Sequence, residues 1–264
     1  MFNQVRQRTV DSINDFINSY LMDIPEPRIS FVTENAIILL FAEPALNPGE
    51  TSAYPEKPVL TDSDQILQER ICRLARALRQ SDTTRVLLQD IVPAPGSLLL
   101  SLHDGRKARR LLREAEAIWQ SCDDIPDEAR MIEIPVTYGG QAGYDLEHVA
   151  RHTGLTTDEI INTHRAGSYY VQSLGFMPGF AYLGGLHPSL ATPRKTTPDP
   201  RIRPGSVAIG GAMTGIYPSA SPGGWHVIGH TDICLFDPRQ REPCLLLPGD
   251  QVQFVMAAAS GVYP

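Results

Sequence analysis

GFMPGFAYLGGL (Gly175–Leu186) opens the stretch of sequence that decides the fold, and LLPGDQVQF (Leu246–Phe254) closes it. Between these segments, glycine and proline recur every few residues and separate short apolar runs. Glycine tolerates backbone geometries that other residues resist, and proline fixes φ and removes a hydrogen-bond donor. The pattern therefore predicts short strands and turns without a long helix, and it favours a shaped surface in addition to a core.

The composition of the 264 residues, with 42% hydrophobic and 20% charged, is ordinary for a soluble globular protein. A formal net charge of -7 argues against a nucleic-acid partner, because phosphate contacts need clustered basic residues. Apolar runs such as Ala36–Ala42 are too short to cross a bilayer, and the N-terminal MFNQVRQRTV lacks the apolar core of a signal peptide. The four cysteines form no C-x-x-C pair. We therefore expect a cytoplasmic protein with reduced thiols and no membrane partner.

Residues 1–125 predict a small α+β domain in which helices cover a few strands. Apolar spacing near the helical period marks three segments: residues 2–22, Asp62–Gln80 with Thr61 or Ser63 as its cap, and Lys107–Cys122. Strand patterns occupy Arg28–Ala42 with a turn at Thr33–Asn35, Arg85–Ile91, and Ser97–Leu102 after a turn at Pro93–Gly96. The proline-rich segment Pro44–Pro58 predicts a surface loop.

A polar, acidic segment, Cys122–Arg130, predicts a linker to a second domain over residues 131–258. That domain begins with a strand at Met131–Tyr138, followed by two short helices at Asp145–Thr153 and Thr157–Arg165. The glycine- and proline-rich stretch comes after them.

The second half of the chain resembles a known family through a set of motifs in order: IPVTYGG (134–140), HTGLTTDEII (152–161), GFMPGFAYLGGL, LATPR (190–194), PGSVAI (204–209), TGIYP (214–218), SPGGWHVIG (221–229) and LLPGDQVQF. The family is that of the 5-oxoprolinase B component, also called allophanate hydrolase subunit 1, a carboxyltransferase domain of subdomains C and D. It includes an inhibitor of a sporulation kinase and one half of the urea carboxylase carboxyltransferase domain. The resemblance spans roughly residues 131–255, and ENAIILLF (34–41) and IVPAPGSLLLSL (91–102) match it more loosely.

The resemblance implies an α+β protein in which a small N-terminal α/β domain precedes a cyclophilin-like β-barrel. It also implies two partners, a homologous C component and a third 5-oxoprolinase subunit, with which the chain opens 5-oxoproline to glutamate in an ATP-dependent reaction. Phosphorylation of the lactam oxygen would make the ring carbon a better electrophile for water. ATP binding rests on the resemblance alone, because the sequence has neither GxxxxGK[ST] nor GxGxxG after a strand.

Arg194 and Arg201 flank a proline-rich loop that also carries Lys195 and Arg203. Guanidinium groups bind carboxylate or phosphate through two parallel hydrogen bonds, so the loop is a candidate anion clamp; the alternative is a solvated loop. The family usually has Arg where this chain has Asp199, and a carboxylate there would weaken an anion site.

His226, in SPGGWHVIG, is a candidate proton-transferring group at the barrel surface; the alternative is an edge-strand histidine that faces water. His230 follows four residues later, where the family usually has Arg. On an extended strand the two imidazoles would lie roughly 13 Å apart, so we expect no metal site.

Tyr217, Ser221, Trp225 and Tyr182 are candidate substrate-binding residues that combine apolar surface with polar tips, although core packing is the favoured interpretation for Trp225. Phe176 and Phe180 are expected in the core and the wall of the same site. Ser221 lacks a G-x-S-x-G elbow, so a hydrolase triad is unsupported.

The first functional hypothesis is therefore an enzyme subunit, nearly inert alone, in which Arg194 and His226 act on a small amide within a site shared with the C component. An enzymatic alternative is a carboxyltransferase-type subunit acting on urea- or allophanate-like amides, although the chain has no AMKM-like biotin site. A third hypothesis from another class is a protein-binding regulator that inhibits a histidine kinase.

Overall fold

The computed structural model describes residues 27–41, 62–121 and 129–257, which form two compact units. Of the described residues, 27–41 and 70–121 belong to the first unit, and 62–69 and 129–257 belong to the second. The predicted N-terminal helix (2–22), the proline-rich loop (44–58), the cap of the helix at Asp62 and most of the linker (122–130) lie outside the described residues or side chains.

The first unit contains a four-stranded antiparallel sheet in the order β1-β2-β4-β3. The strands are β1 (Arg28–Thr33), β2 (Ala36–Leu40), β3 (Leu88–Ala94) and β4 (Ser97–Leu102). Alternate residues of β4 are buried, as expected for a strand with one face on a core. Helix α1 (Asp62–Gln80) has the predicted bounds, and α3 (Ala108–Gln120) is preceded by a 3-10 turn at Gly105–Lys107.

One predicted strand of this unit, Arg85–Ile91, has different bounds in the structure. Residues 82–85 form a short helix, α2 (Asp82–Arg85), and the strand begins only at Leu88 and runs through Pro93 to Ala94. The Thr84 hydroxyl donates to the Leu78 carbonyl, which ties this short helix to the end of α1. Pro93 is tolerated because β3 is an edge strand, and the hairpin turn is therefore shorter than predicted.

The second unit is built on a closed barrel with the strand order β10-β7-β6-β13-β5-β12-β9. Its strands are β5 (Met131–Tyr138), β6 (Tyr169–Leu174), β7 (Ala181–Gly184), β9 (Ser206–Gly210), β10 (Met213–Ile216), β12 (His226–His230) and β13 (Gln251–Met256). Only the β5–β13 pair is parallel among these described strands. A separate two-stranded ribbon pairs β8 (Asp199–Ile202) with β11 (Ser221–Gly223).

Two helices, α4 (Leu146–Thr153) and α5 (Thr157–Ala166), contribute Leu146, Val149 and Ile160 to the barrel core. A capping box begins α5: the Thr156 hydroxyl accepts from the Glu159 N–H, and the Glu159 carboxylate accepts from the Thr156 N–H. The barrel and the small sheet with its helices confirm the predicted α+β class.

Candidate functional site

The loop Gly175–Phe180 connects β6 to β7 through a tight turn. The Phe180 N–H donates to the Met177 carbonyl at 3.0 Å, so Pro178 and Gly179 occupy the central positions. Gly179 has φ 81°, and proline followed by a residue at positive φ is the arrangement of a type II turn. The PG dipeptide of GFMPGF therefore fixes the path of this loop.

The same loop presents Phe176 to solvent. The Met177 N–H donates to the Gly175 carbonyl at 2.7 Å and closes a three-residue γ-turn centred on Phe176, at φ 65°. This side chain is 60% exposed, which corrects the expectation that it lies in the core. Its ring packs edge-on against Phe180 at 5.4 Å and Tyr217 at 6.2 Å between centroids.

Beneath this loop, four aromatic side chains form a continuous cluster that we call the aromatic wall: Phe180, Tyr182, Tyr217 and Trp225. Phe180 lies 5.3 Å from Tyr217 and 5.6 Å from Trp225 between ring centroids, and both pairs are edge-to-face. Tyr182 closes the group, at 4.9 Å from Phe180 and 5.8 Å from Trp225. Edge-to-face pairs add about 0.5–1.5 kcal/mol each beyond area burial, so the wall is a well-packed cluster, in which Phe180, Tyr217 and Trp225 are buried and only Tyr182 is partly exposed.

Tyr217 joins the aromatic wall to the polar part of the site. Burial raises the pKa of this phenol to about 12, although the Trp225 N–H donates to it and the Arg194 charge opposes the shift. Tyr217 is therefore a neutral phenol at physiological pH. A Cβ on Gly223 would lie 2.4 Å from the Tyr217 hydroxyl oxygen, which explains the glycine at that position. The Arg194 guanidinium lies 5.8 Å from the Trp225 ring centroid.

Lys195 is held between two carboxylates rather than presented to a ligand. Its Nζ lies 2.7 Å from Asp145 Oδ2 and 2.7 Å from Asp199 Oδ2, and 5.2 Å from the Tyr144 ring centroid. Tyr144 donates its hydroxyl hydrogen to Asp199 Oδ2 at 2.9 Å. We call these four residues the lysine clamp; its formal charge is -1, from two carboxylates and one ammonium group. Lys195 is thus not available to an anion clamp, and Asp199 has a local cation partner.

Opposing effects set the pKa values within the lysine clamp. Burial lowers the pKa of Lys195, but hydrogen bonds and charges from Asp145 and Asp199 raise it above its usual value. Burial likewise raises the pKa of Asp199, but Lys195 and Tyr144 bring it below its usual value. Both shifts favour the charged forms, so Lys195 and Asp199 remain ionised across the neutral pH range.

Asp145 is fixed by strand β12, on which His226 also lies. The Asp145 N–H donates to the Val227 carbonyl at 2.9 Å, and the Val227 N–H donates to Asp145 Oδ2 at 2.8 Å. The chain passes so close to β12 that a Cβ on Gly143 would lie 1.9 Å from the Ile228 carbonyl oxygen. Glycine at 143 therefore allows the approach that places Asp145 under Lys195.

His226 is only 3% exposed, so it is neither a surface group nor an edge histidine facing water. Its Nε2 lies 2.9 Å from the Pro193 carbonyl oxygen and must donate to it. Its Nδ1 is buried without a hydrogen-bond partner among the described residues. His148, an exposed residue of α4, stacks on the His226 ring at 4.5 Å and an interplanar angle of 10°. Burial, as the main cause, lowers the pKa of His226.

The β8–β11 ribbon carries two more predicted site residues. Arg201 is exposed on β8, and Ser221 lies opposite Ile202 in the ribbon. The Ser221 Oγ is buried without a partner within the described part of the chain. Asp199, at the start of β8, connects the ribbon to the lysine clamp.

The structure thus links Arg194, Tyr217, Trp225 and Tyr182 through the aromatic wall, and places His226 behind the loop that carries Arg194. Trp225 is buried, as favoured from the sequence. Arg201 and Ser221 lie on the adjoining ribbon. Sequence reasoning missed the roles of Tyr144, Asp145 and His148, and the clamping of Lys195.

Among the described residues, no group of three or more His, Cys, Asp or Glu side chains is arranged to hold a metal ion. The His230 Nε2 lies 3.0 Å from the Pro204 carbonyl oxygen, which engages that nitrogen in the backbone. Within the same residues, no helix is both long and apolar enough to span a membrane.

Comparison with known proteins places these features in a family. Residues 50–246 match the family model "Carboxyltransferase domain, subdomain C and D". The chain is 42% identical over 209 residues to the 5-oxoprolinase B component of Escherichia coli O157:H7, and the match covers 78% of this chain and 93% of that protein. It is 47% identical over 140 residues to the 5-oxoprolinase B component of Bacillus subtilis (strain 168), a match that covers 53% of this chain and 58% of that protein.

Among solved structures, that of TTHA0988 matches with a TM-score of 0.62 and 38% identity over 76% of this chain; the chain spans only 38% of the TTHA0988 chain. The urea carboxylase of Kluyveromyces lactis matches with a TM-score of 0.58 at 18% identity, over 90% of this chain and 22% of that chain, and so shares the fold. The length and identity of these matches show that the chain belongs to the carboxyltransferase-domain family, subdomains C and D, that includes the B component of 5-oxoprolinase.

Proposed function

We propose that the chain is the B component of an ATP-dependent 5-oxoprolinase. The observation that carries the proposal is its 42% identity to a protein of that name across 93% of that protein's length. The complex would convert 5-oxoproline, ATP and water to glutamate, ADP and phosphate. Phosphorylation of the lactam oxygen would activate the ring carbon, and a first water would add to it. Opening of the C–N bond would leave an acyl phosphate on the side chain of glutamate, and a second water would hydrolyse it to glutamate and phosphate.

In this proposal the barrel unit supplies one face of the active site, and the homologous C component supplies the other. The exposed cations Arg194 and Arg201 bind the substrate carboxylate. Arg194 lies over Trp225 of the aromatic wall, and Arg201 lies on the β8–β11 ribbon. Of the predicted substrate-binding residues, Tyr182 and Ser221 are partly exposed and would line the site, whereas Tyr217 and Trp225 are buried and would support it from behind. ATP is a substrate of the complex, and the proposal assigns no ATP-contacting group to this chain.

His226 contributes through the backbone in this arrangement. Its Nε2–H donates to the carbonyl of Pro193, the residue immediately before Arg194. The imidazole therefore fixes the peptide from which the Arg194 side chain extends. We assign it as a positioning residue, with the exposed ring of His148 stacked on it.

The chain on its own is expected to be nearly inert. Positioning and electrostatic stabilisation require groups on both sides of the reacting amide, and this chain supplies one side. The third subunit completes the ATP-dependent reaction. Localisation in the cytoplasm is part of the same proposal, because ATP and 5-oxoproline would have to be available there.

The test begins with co-purification of the chain with its candidate C component, followed by addition of the third subunit and an ATP-dependent assay of glutamate release. Arg194→Ala should lower kcat/KM for 5-oxoproline by about 10–200-fold, the loss typical of one charge-assisted contact. Arg151→Ala, which removes an exposed arginine on α4, is the matched control. Full activity in a complex lacking this chain would refute the proposal.

Two other outcomes would redirect the assignment. A stable complex that does not turn over 5-oxoproline would favour another amide, including the urea- or allophanate-like compounds of a carboxyltransferase. Failure to form any complex would favour the regulator, which is then tested by binding to a histidine kinase.

A further inference from the structure

Phe176 occupies a backbone conformation that its side chain disfavours. It is the only non-glycine residue at positive φ among those that the structure describes. A Cβ makes this region costly for a bulky residue, and the positive-φ form of the γ-turn is rare and strained. Glycine would adopt the same turn without this cost. The sequence nevertheless has a phenylalanine, flanked by Gly175.

Burial does not offset the cost, because the side chain is 60% exposed. The ring instead has a fixed direction. Two edge-on contacts, to Phe180 at an interplanar angle of 83° and to Tyr217 at 89°, orient it. The Ser219 hydroxyl lies 3.2 Å from the Met177 sulfur and ties the loop to the segment after Tyr217. Strained backbone positions cluster at ligand-binding sites, so an exposed ring held in such a turn is a candidate ligand contact.

The aromatic wall thus has one apolar exposed neighbour, Phe176, and one exposed cation at its surface, Arg194 above Trp225. A complementary ligand would carry a flat apolar ring and an anionic group.

We propose that Phe176 is a substrate-contacting residue whose ring covers the lactam ring, while Arg194 pairs with the carboxylate. The proposal rests on the proposed function and deepens it, because it assigns a contact with the substrate ring to a residue of the same site. The γ-turn orients the ring before the ligand arrives, which reduces the entropy lost on binding.

The experiment uses the assembled complex with the third subunit and compares wild type, Phe176→Gly and Phe176→Leu. Phe176→Gly keeps the turn and removes the ring, so its melting temperature should be unchanged or higher. Its KM for 5-oxoproline should rise at least about tenfold, in the range for a lost apolar contact in a pocket. Phe176→Leu, which keeps apolar bulk without a flat face, should be intermediate. Met256→Ala removes an exposed apolar side chain at the end of β13 and should match wild type.

Three results would overturn the inference. Unchanged KM in Phe176→Gly with an active wild type would refute it alone and leave the proposed function intact. Loss of co-purification in Phe176→Gly would show that the ring contacts another protein of the complex and not the substrate. Absence of 5-oxoproline turnover by the wild-type complex would refute the proposed function, and this inference with it.

Discussion

His164 and His226 are two buried imidazoles of the same barrel unit, and they differ in how their nitrogens are used. Both ring nitrogens of His164 have partners: Nδ1 lies 2.8 Å from the Tyr138 hydroxyl, and Nε2 lies 3.0 Å from Thr214 Oγ1. Thr214 donates in turn to the Ala208 carbonyl, so it must accept from His164. His226 has one hydrogen-bonded nitrogen, on Pro193, and one buried nitrogen without a partner in the described residues.

The difference shows that residue type and burial alone do not separate structural from functional histidines. His164 is a neutral link between β5, α5 and β10, and every polar atom of its ring is satisfied. His226 holds the loop before Arg194 and leaves one nitrogen unused. Buried polar groups are normally satisfied, so an unsatisfied one next to a candidate site marks a place where the fold tolerates a cost.

The largest effect is expected when His164, whose two ring nitrogens both have hydrogen-bond partners, is replaced. His164→Leu keeps apolar volume but removes the partner of the Tyr138 hydroxyl and leaves Thr214 with only its bond to Ala208, at about 1–3 kcal/mol for a buried group left unsatisfied. We expect a loss of about 2–4 kcal/mol in the free energy of unfolding. His226→Leu removes one bond, to the exposed Pro193, and should cost about 1 kcal/mol. The two indoles are Trp119 and Trp225, so urea titrations in a Trp119→Phe background would report on the barrel unit through Trp225 fluorescence.

Equal losses in these two variants would contradict the comparison, because the cost would then depend on burial and not on the number of satisfied partners. His152→Leu, at an exposed position of α4, serves as the control for the substitution itself.

A second prediction concerns pH. Burial lowers the pKa of His164 to about 3, compared with about 6.5 in an unfolded chain. Below pH ~6.5 the unfolded chain binds a proton that the folded chain does not, so stability must fall as pH falls. Full linkage through one histidine gives a slope of about 1.4 kcal/mol per pH unit between the two pKa values. His226, whose pKa is also lowered by burial, adds to this slope in the same direction.

The measurement is the free energy of unfolding of wild type and His164→Leu at several pH values from about 7.5 to about 4.5. This range begins above the unfolded-state pKa and ends well below it. The variant should be less stable at neutral pH and should have a flatter slope below pH ~6.5. Parallel curves for the two proteins would show that His164 binds a proton in the folded state.

The lysine clamp gives a third, smaller effect. Lys195→Met removes the cation between Asp145 and Asp199 and leaves two carboxylates facing each other. Breaking a buried pair costs about 3–5 kcal/mol, and partial exposure with solvent screening reduces this to about 1–2 kcal/mol. The double variant Lys195→Met/Asp199→Asn removes the like-charge contact and should recover part of the loss. A double-mutant cycle by urea unfolding checks this coupling.

Additive losses in that cycle would show that Lys195 and Asp199 do not stabilise each other, which would contradict the prediction. Tyr144→Phe is the control for the contribution of Tyr144 to the clamp, because it removes only the hydroxyl that donates to Asp199.

The sequence predicts local structure far better than it predicts the clamp. Met131–Tyr138 and Asp62–Gln80 have the bounds expected from their periodicity, because apolar spacing and glycine or proline breaks are local signals. Asp145 and Lys195 are fifty positions apart in the chain, and no spacing rule relates them until β12 brings them together. Phe176 was expected to be buried because it is apolar; its exposure follows from the γ-turn, which depends on a hydrogen bond and not on composition.

The smallest effect is expected for His226→Gln, which tests the difference between His164 and His226 most directly. In His226→Gln the side-chain amide can still donate to the Pro193 carbonyl, and no other hydrogen bond of the imidazole is lost. We expect the free energy of unfolding to change by less than about 0.5 kcal/mol. If His226 only positions the Arg194 loop, the assembled complex should keep its kcat and its pH profile, and His226→Leu should raise KM. A fall in kcat with a displaced acidic limb in His226→Gln would instead show that the free Nδ1 accepts a proton during turnover. His164→Gln should destabilise the barrel far more, because an amide cannot reach Tyr138 and Thr214 from the two sides that the imidazole bridges.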